Sequence, residues 1–284
     1  MKKASAVLLT LIMAASLAAC GSSGNDAKSE DTKGAQSEAS GDESAGNTDG
    51  GLGYDKLIIG VDDTFAPMGF LDENNELTGF DIEMAQAVSE KLGIAVEFQT
   101  VDWTMKEQEL NQGNIDLIWN GYSITDERAE KVLFTDPYLD NKQVVVTMAD
   151  SGINTLADLS GKVVAAQADS SAVEAINSNP EIADTFADRP EFATNDEAIM
   201  DMEAGRSDAV VADSVLLNYV ISHKEDPSQY KILDEDFGSE EFAVGVRKED
   251  TALCDAINKA FEELKTDGTA GELSEKWFGE DVVK

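Results

Sequence analysis

Arg128 is a cation in a chain that has few of them. It lies in Asn120-Gly-Tyr-Ser-Ile-Thr-Asp-Glu-Arg-Ala-Glu-Lys-Val-Leu-Phe-Thr-Asp-Pro-Tyr138, just beyond an apolar, strand-like run at residues 115–119. With 21 Lys+Arg against 57 Asp+Glu, an arginine held at a strand terminus is a candidate anchor for a small anion. A guanidinium grips a carboxylate through two parallel hydrogen bonds. Ser123 can donate to the same carboxylate or accept from an ammonium, Gly121 offers a backbone carbonyl, and Asn120 beside it is a further candidate ligand contact. A plainer account fits the same residues: Thr125-Asp-Glu-Arg has the form of a helix cap, with Arg128 in a surface salt bridge. Both can hold, because a capped turn fixes an arginine in place.

A second cluster is Gln167-Ala-Asp-Ser170-Ser171. Ser171-Ala-Val-Glu174 matches a capping box, so a helix is expected to start there. The free N–H groups and positive dipole end of such a start suit a carboxylate. Asp213 closes another apolar run; alone, an aspartate there is most simply a turn residue. Catalytic patterns are poor. His223 is the single histidine, near a helix end where it meets terminal carbonyls. Nucleophile-elbow, zinc-helix and phosphate-loop motifs are missing from the sequence. The carboxylates are scattered as on a solvated acidic surface, so no metal and no cofactor is expected.

The net charge of −36 sets the chain against nucleic acid, whose phosphates would be repelled. Lys2 and Lys3 precede an apolar run over residues 4–19, short for a membrane span and right for a signal peptide. Leu17-Ala-Ala-Cys20 then matches a lipobox, which predicts a signal peptide over 1–19 and a lipid on Cys20. Residues 20–53 are rich in Gly, Ser and acidic residues and cannot offset the entropy of ordering; they read as a tether spanning about 30 Å. With Cys20 lipidated, only Cys254 remains, at helical apolar spacing in Leu253-Cys-Asp-Ala-Ile257, where it reads as a buried filler.

Strand-like and helix-like segments alternate from Tyr54 onward. Leu57-Ile-Ile-Gly-Val61 reads as a strand buried on both faces, and residues 80–92 have helical spacing with Gly93 as a stop. This is the grammar of parallel α/β sheets. The pattern then restarts. Gly161-Lys-Val-Val-Ala-Ala-Gln-Ala-Asp-Ser170 echoes Asp55-Lys-Leu-Ile-Ile-Gly-Val-Asp-Asp-Thr64, and Gly205-Arg-Ser-Asp-Ala-Val-Val-Ala-Asp213 echoes Gly113-Asn-Ile-Asp-Leu-Ile-Trp-Asn-Gly121. Two echoes in one order predict two lobes of similar topology, with Gly121 and Asp213 at corresponding strand ends, where α/β sheets bind ligands. The strand-like runs Lys142-Gln-Val-Val-Val-Thr-Met148 and Glu241-Phe-Ala-Val-Gly-Val-Arg247 would join them as a hinge. Lobe one is then 54–145 plus 241–284, ending in helices near 251–266 and 270–278, and lobe two is 146–240.

The chain resembles the polar amino-acid family of bacterial extracellular solute-binding proteins, family 3. The resemblance covers roughly 54–280 and rests on Gly79-Phe-Asp-Ile-Glu-Met-Ala85, Ser123-Ile-Thr-Asp-Glu-Arg128, Phe134-Thr-Asp-Pro-Tyr138 and the run from Asp208 to Asp213. It implies a two-lobed periplasmic-binding-protein fold of type II, each lobe a mainly parallel sheet flanked by helices. It also implies a monomeric, lipid-anchored, extracytoplasmic binding protein that delivers a free L-amino acid to the permease of an ABC importer, rather than an enzyme. A sensory module and a dehydratase-type enzyme are the rivals on this scaffold. By resemblance, Arg128 holds the ligand's α-carboxylate with Ser123, Ser170 and Ser171, and Asp213 receives its ammonium with Gly121. Phe65 and Trp103 sandwich its stem, and Asp62, Gln167, Asp63 and Glu241 are candidates for its side-chain end. Met68 and Asp169 depart from the family, which commonly has phenylalanine and glycine there.

Overall fold

The Leu57-Ile-Ile-Gly-Val61 run forms the inner strand its composition demands. A computed structural model describes residues 51–284; the expected signal peptide, lipidated Cys20 and nearly all of the tether lie outside the described residues. Strand β1 (Lys56–Val61) opens the first lobe, followed by a small meander of β2 (Thr64–Phe65), β3 (Gly69–Leu71) and β4 (Leu77–Thr78). Helix α1 (Phe80–Leu92) ends on Gly93 in the left-handed conformation, as the glycine stop predicted. Then come β5 (Ala95–Thr100), α2 (Lys106–Gln112), β6 (Leu117–Ile118), α3 (Asp126–Ala129) and β7 (Leu133–Phe134).

The second lobe contains β8 (Leu139–Met148), β9 (Val164–Gln167), α4 (Ser171–Asn177), α5 (Pro180–Ala183), β10 (Glu191–Phe192) and α6 (Asn195–Glu203). It is completed by β11 (Ala209–Asp213), α7 (Ser214–Ser222) and β12 (Tyr230–Phe242). The chain returns to the first lobe as β13 (Gly245–Val246), α8 (Thr251–Asp267) and α9 (Thr269–Phe278).

The sheets repeat one plan, β5-β1-β6-β13-β7 in the first lobe and β10-β9-β11-β8-β12 in the second. In each, three strands run parallel and the fourth returns antiparallel. The echoed aspartates do equivalent work: Asp116 accepts the Ile58 N–H at 2.8 Å and Asp208 the Val163 N–H at 2.9 Å. Along β11, Val210 and Ala212 enter one apolar cluster while Ala209 and Val211 enter the other, so the strand is apolar throughout because both faces are covered.

The change of sheet falls before the first expected hinge run and within the second. Strand β8 belongs to the second sheet from Leu139, and β12 stays in it to Phe242, where the two strands pair. Residues 139–145 thus join the second sheet rather than the first. The physical reason is period two: Leu139, Asn141 and Gln143 point inward while Asp140 and Lys142 face solvent, so the strand starts before its continuous apolar part. No helix among the described residues is long and apolar enough to cross a membrane.

Candidate functional site

Arg128 is set by a local cap and a distant seam. Thr125 Oγ1 accepts the Arg128 N–H at 3.2 Å, so the cap is real. The surface salt bridge is not, because the Arg128 side chain is buried, 2% exposed for the residue. The guanidinium stacks on the Tyr122 ring at 4.7 Å. Its Nη1 donates to Ser123 O at 3.1 Å, and its Nη2 crosses to the second lobe and donates to Asp169 O at 3.3 Å. Glu174 and Glu107 flank Nε at 3.6 and 4.0 Å.

Lys106, which carried no sequence signal, is fully buried beside this seat. Its ammonium donates to Trp103 O at 2.9 Å, Asp169 O at 3.0 Å and Asp169 Oδ2 at 2.7 Å. Burial and the Arg128 charge lower its pKa. Asp169 has φ 54, a left-handed conformation, which accounts for the glycine common in the family at this position. Its carboxylate engages Lys106 instead of capping α4.

The capping box at α4 does not form. Ser170 is the N-cap and Ser171 the first helical residue, with no side-chain cap bond. The Ser170 hydroxyl donates to Gln167 O at 2.7 Å. Ser171 Oγ is drawn away because it meets Ser123 Oγ of the other lobe at 3.0 Å and accepts from Gln143 Nε2 at 3.1 Å.

Across the seam, Asp213 ends β11 and is buried. Its Oδ1 accepts from Asn141 Nδ2 at 2.6 Å and Gln143 Nε2 at 3.0 Å. Burial, then the neighbouring Glu240 carboxylate, hold its pKa well above the ordinary 3.8; Arg128 pulls weakly the other way. Asn141, Gln143 and Glu240 were missed in the sequence. For the first two a clue existed, since polar residues on the inward register of a strand must satisfy something. Glu240 had none.

The opposite end of the seam is simpler. Gln167 Nε2 donates to Asp62 Oδ2 at 2.6 Å, joining the lobes, while its Oε1 accepts from Asn195 at 2.9 Å. Gly121, at φ 57, leaves room for Phe65, whose ring carbon would lie 2.6 Å from an added Cβ. Trp103 sits edge-on to Tyr122 with ring centroids 6.0 Å apart, and no ring pair joins it to Phe65 among the described residues. Asn120 is buried against Gly69, with neither end of its amide hydrogen-bonded. Glu241 pairs with Lys284 and Asp63 accepts from Thr100, both carboxylates at half-buried positions. The structure therefore gathers Asp62, Ser123, Arg128, Gln167, Ser171 and Asp213 at cross-lobe contacts or within the network behind them, with Phe65 against Gly121.

Behind the first-lobe strand end, Asp81 Oδ2 accepts the Gly121 N–H at 2.6 Å and the Tyr138 hydroxyl at 2.9 Å. Burial raises its pKa to about 7. His223 accompanies the end of α7, its Nδ1 2.8 Å from Tyr219 O. Cys254 is buried and its thiol is pushed up to about 11, chiefly by burial. No group of three or more His, Cys, Asp or Glu could hold a metal ion among the described residues.

Residues 57–280 match the sequence profile of the bacterial extracellular solute-binding proteins, family 3. The chain belongs to that family. Among relatives of this binding protein, the L-cystine-binding protein TcyJ of Escherichia coli K12 is 32% identical over 232 residues, 80% of this chain and 84% of the relative. The L-cystine-binding protein TcyA of Bacillus subtilis is 32% identical over 287 residues, 100% of both. A solved ABC uptake transporter substrate-binding protein from Streptococcus pneumoniae with bound histidine is 46% identical, with TM-score 0.79, covering 81% of this chain and 95% of that one. The two-lobed architecture is the type II periplasmic-binding-protein fold, and the relatives carry the names of binding proteins of amino-acid transporters rather than of enzymes.

Proposed function

We propose that this protein captures a free amino acid as a zwitterion between its lobes and delivers it to an ABC importer. The observation that carries the reading is the buried Arg128 at the seam, with Asp213 buried at the corresponding strand end of the other lobe. Arg128 would turn its fork from the Asp169 carbonyl to the ligand's α-carboxylate, helped by Ser123 and Ser171. Asp213 and the Gly121 carbonyl would take the ammonium, and Phe65 would wall the stem. Asp62 and Gln167 would face the side chain, offering an anionic acceptor and an amide.

The lobes, redrawn with residues 139–242 in the second, would pivot where β8 and β12 leave the second sheet. Closure is favoured only as far as the ligand bonds the closed form better than the open one. The importer's permease would bind the closed outline. A lipid on Cys20 would keep this monomer on the extracytoplasmic membrane face and raise its effective concentration there. Labelling by radioactive palmitate should disappear in Cys20→Ser.

A thermal-shift panel of the protein amino acids plus L-cystine tests the capture. One or a few should raise the melting temperature in a saturable way. Cystine and histidine, the ligands named for the relatives, head the panel. No rise with any of them would overturn the reading.

A further inference from the structure

Asp213 and Glu240 form a pair of carboxylates that no cation neutralises directly. Asn141 Nδ2 donates to Asp213 Oδ1 at 2.6 Å and to Glu240 Oε1 at 2.7 Å. Gln143 Nε2 likewise serves both, at 3.0 and 2.8 Å. The two oxygens therefore lie within reach of the same two nitrogens. Glu240 Oε1 also accepts from Ser123 Oγ of the first lobe at 2.8 Å and Ser171 Oγ of the second at 3.3 Å. All these donors are neutral, and among the described residues neither carboxylate forms an ion pair.

The surrounding charges are already engaged. Arg128 from α3 is flanked by Glu174 of α4 and Glu107 of α2. Lys106 of α2 is held by Asp169. On β8, Lys142 pairs with Asp236 and Asp140 with Lys284. On β12, Glu241 also pairs with Lys284. From α7 comes the neutral Ser214, bonded to Asn141. The network is also short of hydrogens, because Gln143 Oε1 is buried with no donor. Two like charges sharing donors, one of them buried and the other half-buried, do not both ionise readily, and the raised pKa of Asp213 has Glu240 as its second cause.

We propose that Asp213 and Glu240 hold one proton between them until an amino acid arrives, and that the ligand's α-ammonium takes that proton's place. The step breaks one carboxyl O–H bond and forms N–H···O bonds from the ammonium. The displaced proton leaves as hydronium or on buffer through the grooves beside Glu240, about 550 and 790 Å³ in volume. Glu240 is thus a positioning residue: it gathers a serine from each lobe and makes capture proton-linked. The sign follows. With the Asp213 carboxyl's pKa raised before binding and lowered by the ammonium, affinity rises with pH through the raised value, by up to about tenfold per pH unit for one proton, and levels off above it.

This inference rests on the amino-acid-capture reading, and its test separates the two. Calorimetric titrations with L-arginine, L-glutamine and L-cystine, in buffers of differing ionisation enthalpy between about pH 5 and pH 7, count protons released per ligand bound. Release should approach one proton for the wild type and vanish in Glu240→Gln, which keeps an acceptor for both serines. Carboxyl NMR titration without ligand should show a group titrating above the ordinary aspartate range that returns toward it in Glu240→Gln. No release, equal release in both proteins, or no such titration in the wild type would overturn the proposal. If none of the three amino acids binds, capture of these ligands fails, and the NMR titration alone still decides whether the pair holds a proton.

Discussion

The ends of β6 and β11 occupy the same place in the two halves of the repeat, and each has a buried carboxylate. At β6 the carboxylate stands behind the chain: Asp81 accepts the Gly121 N–H and fixes a glycine whose missing side chain makes room for Phe65. At β11 the carboxylate is the strand's own last residue, Asp213, held from below by Asn141 and Gln143. One acid positions backbone, and in the proposed capture the other would meet the ligand's ammonium. The same topology would then give one jaw a backbone carbonyl and the other a side-chain carboxyl.

The largest break in this comparison should come from Asp213→Ala. Affinity for the amino acid that stabilises the protein most should fall on the order of a hundredfold, since truncating one partner of a buried charge pair costs about 2–5 kcal/mol. The melting temperature without ligand should hold or rise, because Asn141 and Gln143 can then serve Glu240 alone. Unchanged affinity would remove Asp213 from the site.

Gly121→Ala tests the other jaw. The left-handed backbone and the collision with Phe65 should cost about 1–2 kcal/mol of stability or more. Chemical denaturation measures it, and a neutral result would show that the close approach is unimportant.

Asp81→Asn should move affinity least while changing the pH dependence of folding. The Asp81 carboxyl is raised from 3.8 to about 7 in the folded protein. Its contribution to stability is fully present below the unfolded value and is lost as pH climbs through about 7. The wild type should therefore lose ground relative to Asp81→Asn as pH rises across that window. A shift of opposite sign in the melting-temperature difference would contradict a buried carboxyl kept neutral by desolvation.

What was legible in the sequence was what the chain encodes locally. Apolar periodicity with Gly93 marked α1, and the paired Gly-x-x-Asp echoes marked β6 and β11 with their ends. The hinge was read late on β8, because Asn141 and Gln143 interrupt the apolar run while still facing inward. Strand β12 escaped as far as Glu240 because its Asp234-Glu235-Asp236 stretch lies at the sheet edge, where polar residues are cheap. In the site, Arg128, Ser123, Ser171 and Asp213 came from motif and repeat. Lys106 and Glu240 did not, because their partners are far away in sequence: Asp169 for Lys106, and Ser123 and Asn141 for Glu240. Burial of a charge such as Lys106 becomes affordable only after the lobes meet.

In the proposed capture, Arg128 grips the ligand's carboxylate with its planar fork. Calorimetric titration of Arg128→Lys with the best-stabilising amino acid decides whether it does. Lysine keeps the charge that Glu107 and Glu174 surround but loses the stacking on Tyr122, so the fold should persist with a modest fall in melting temperature. Affinity should fall about tenfold or more, as loss of a charged hydrogen bond worth about 1.5–3 kcal/mol requires. Wild-type affinity in that variant would show that the arginine merely braces the seam.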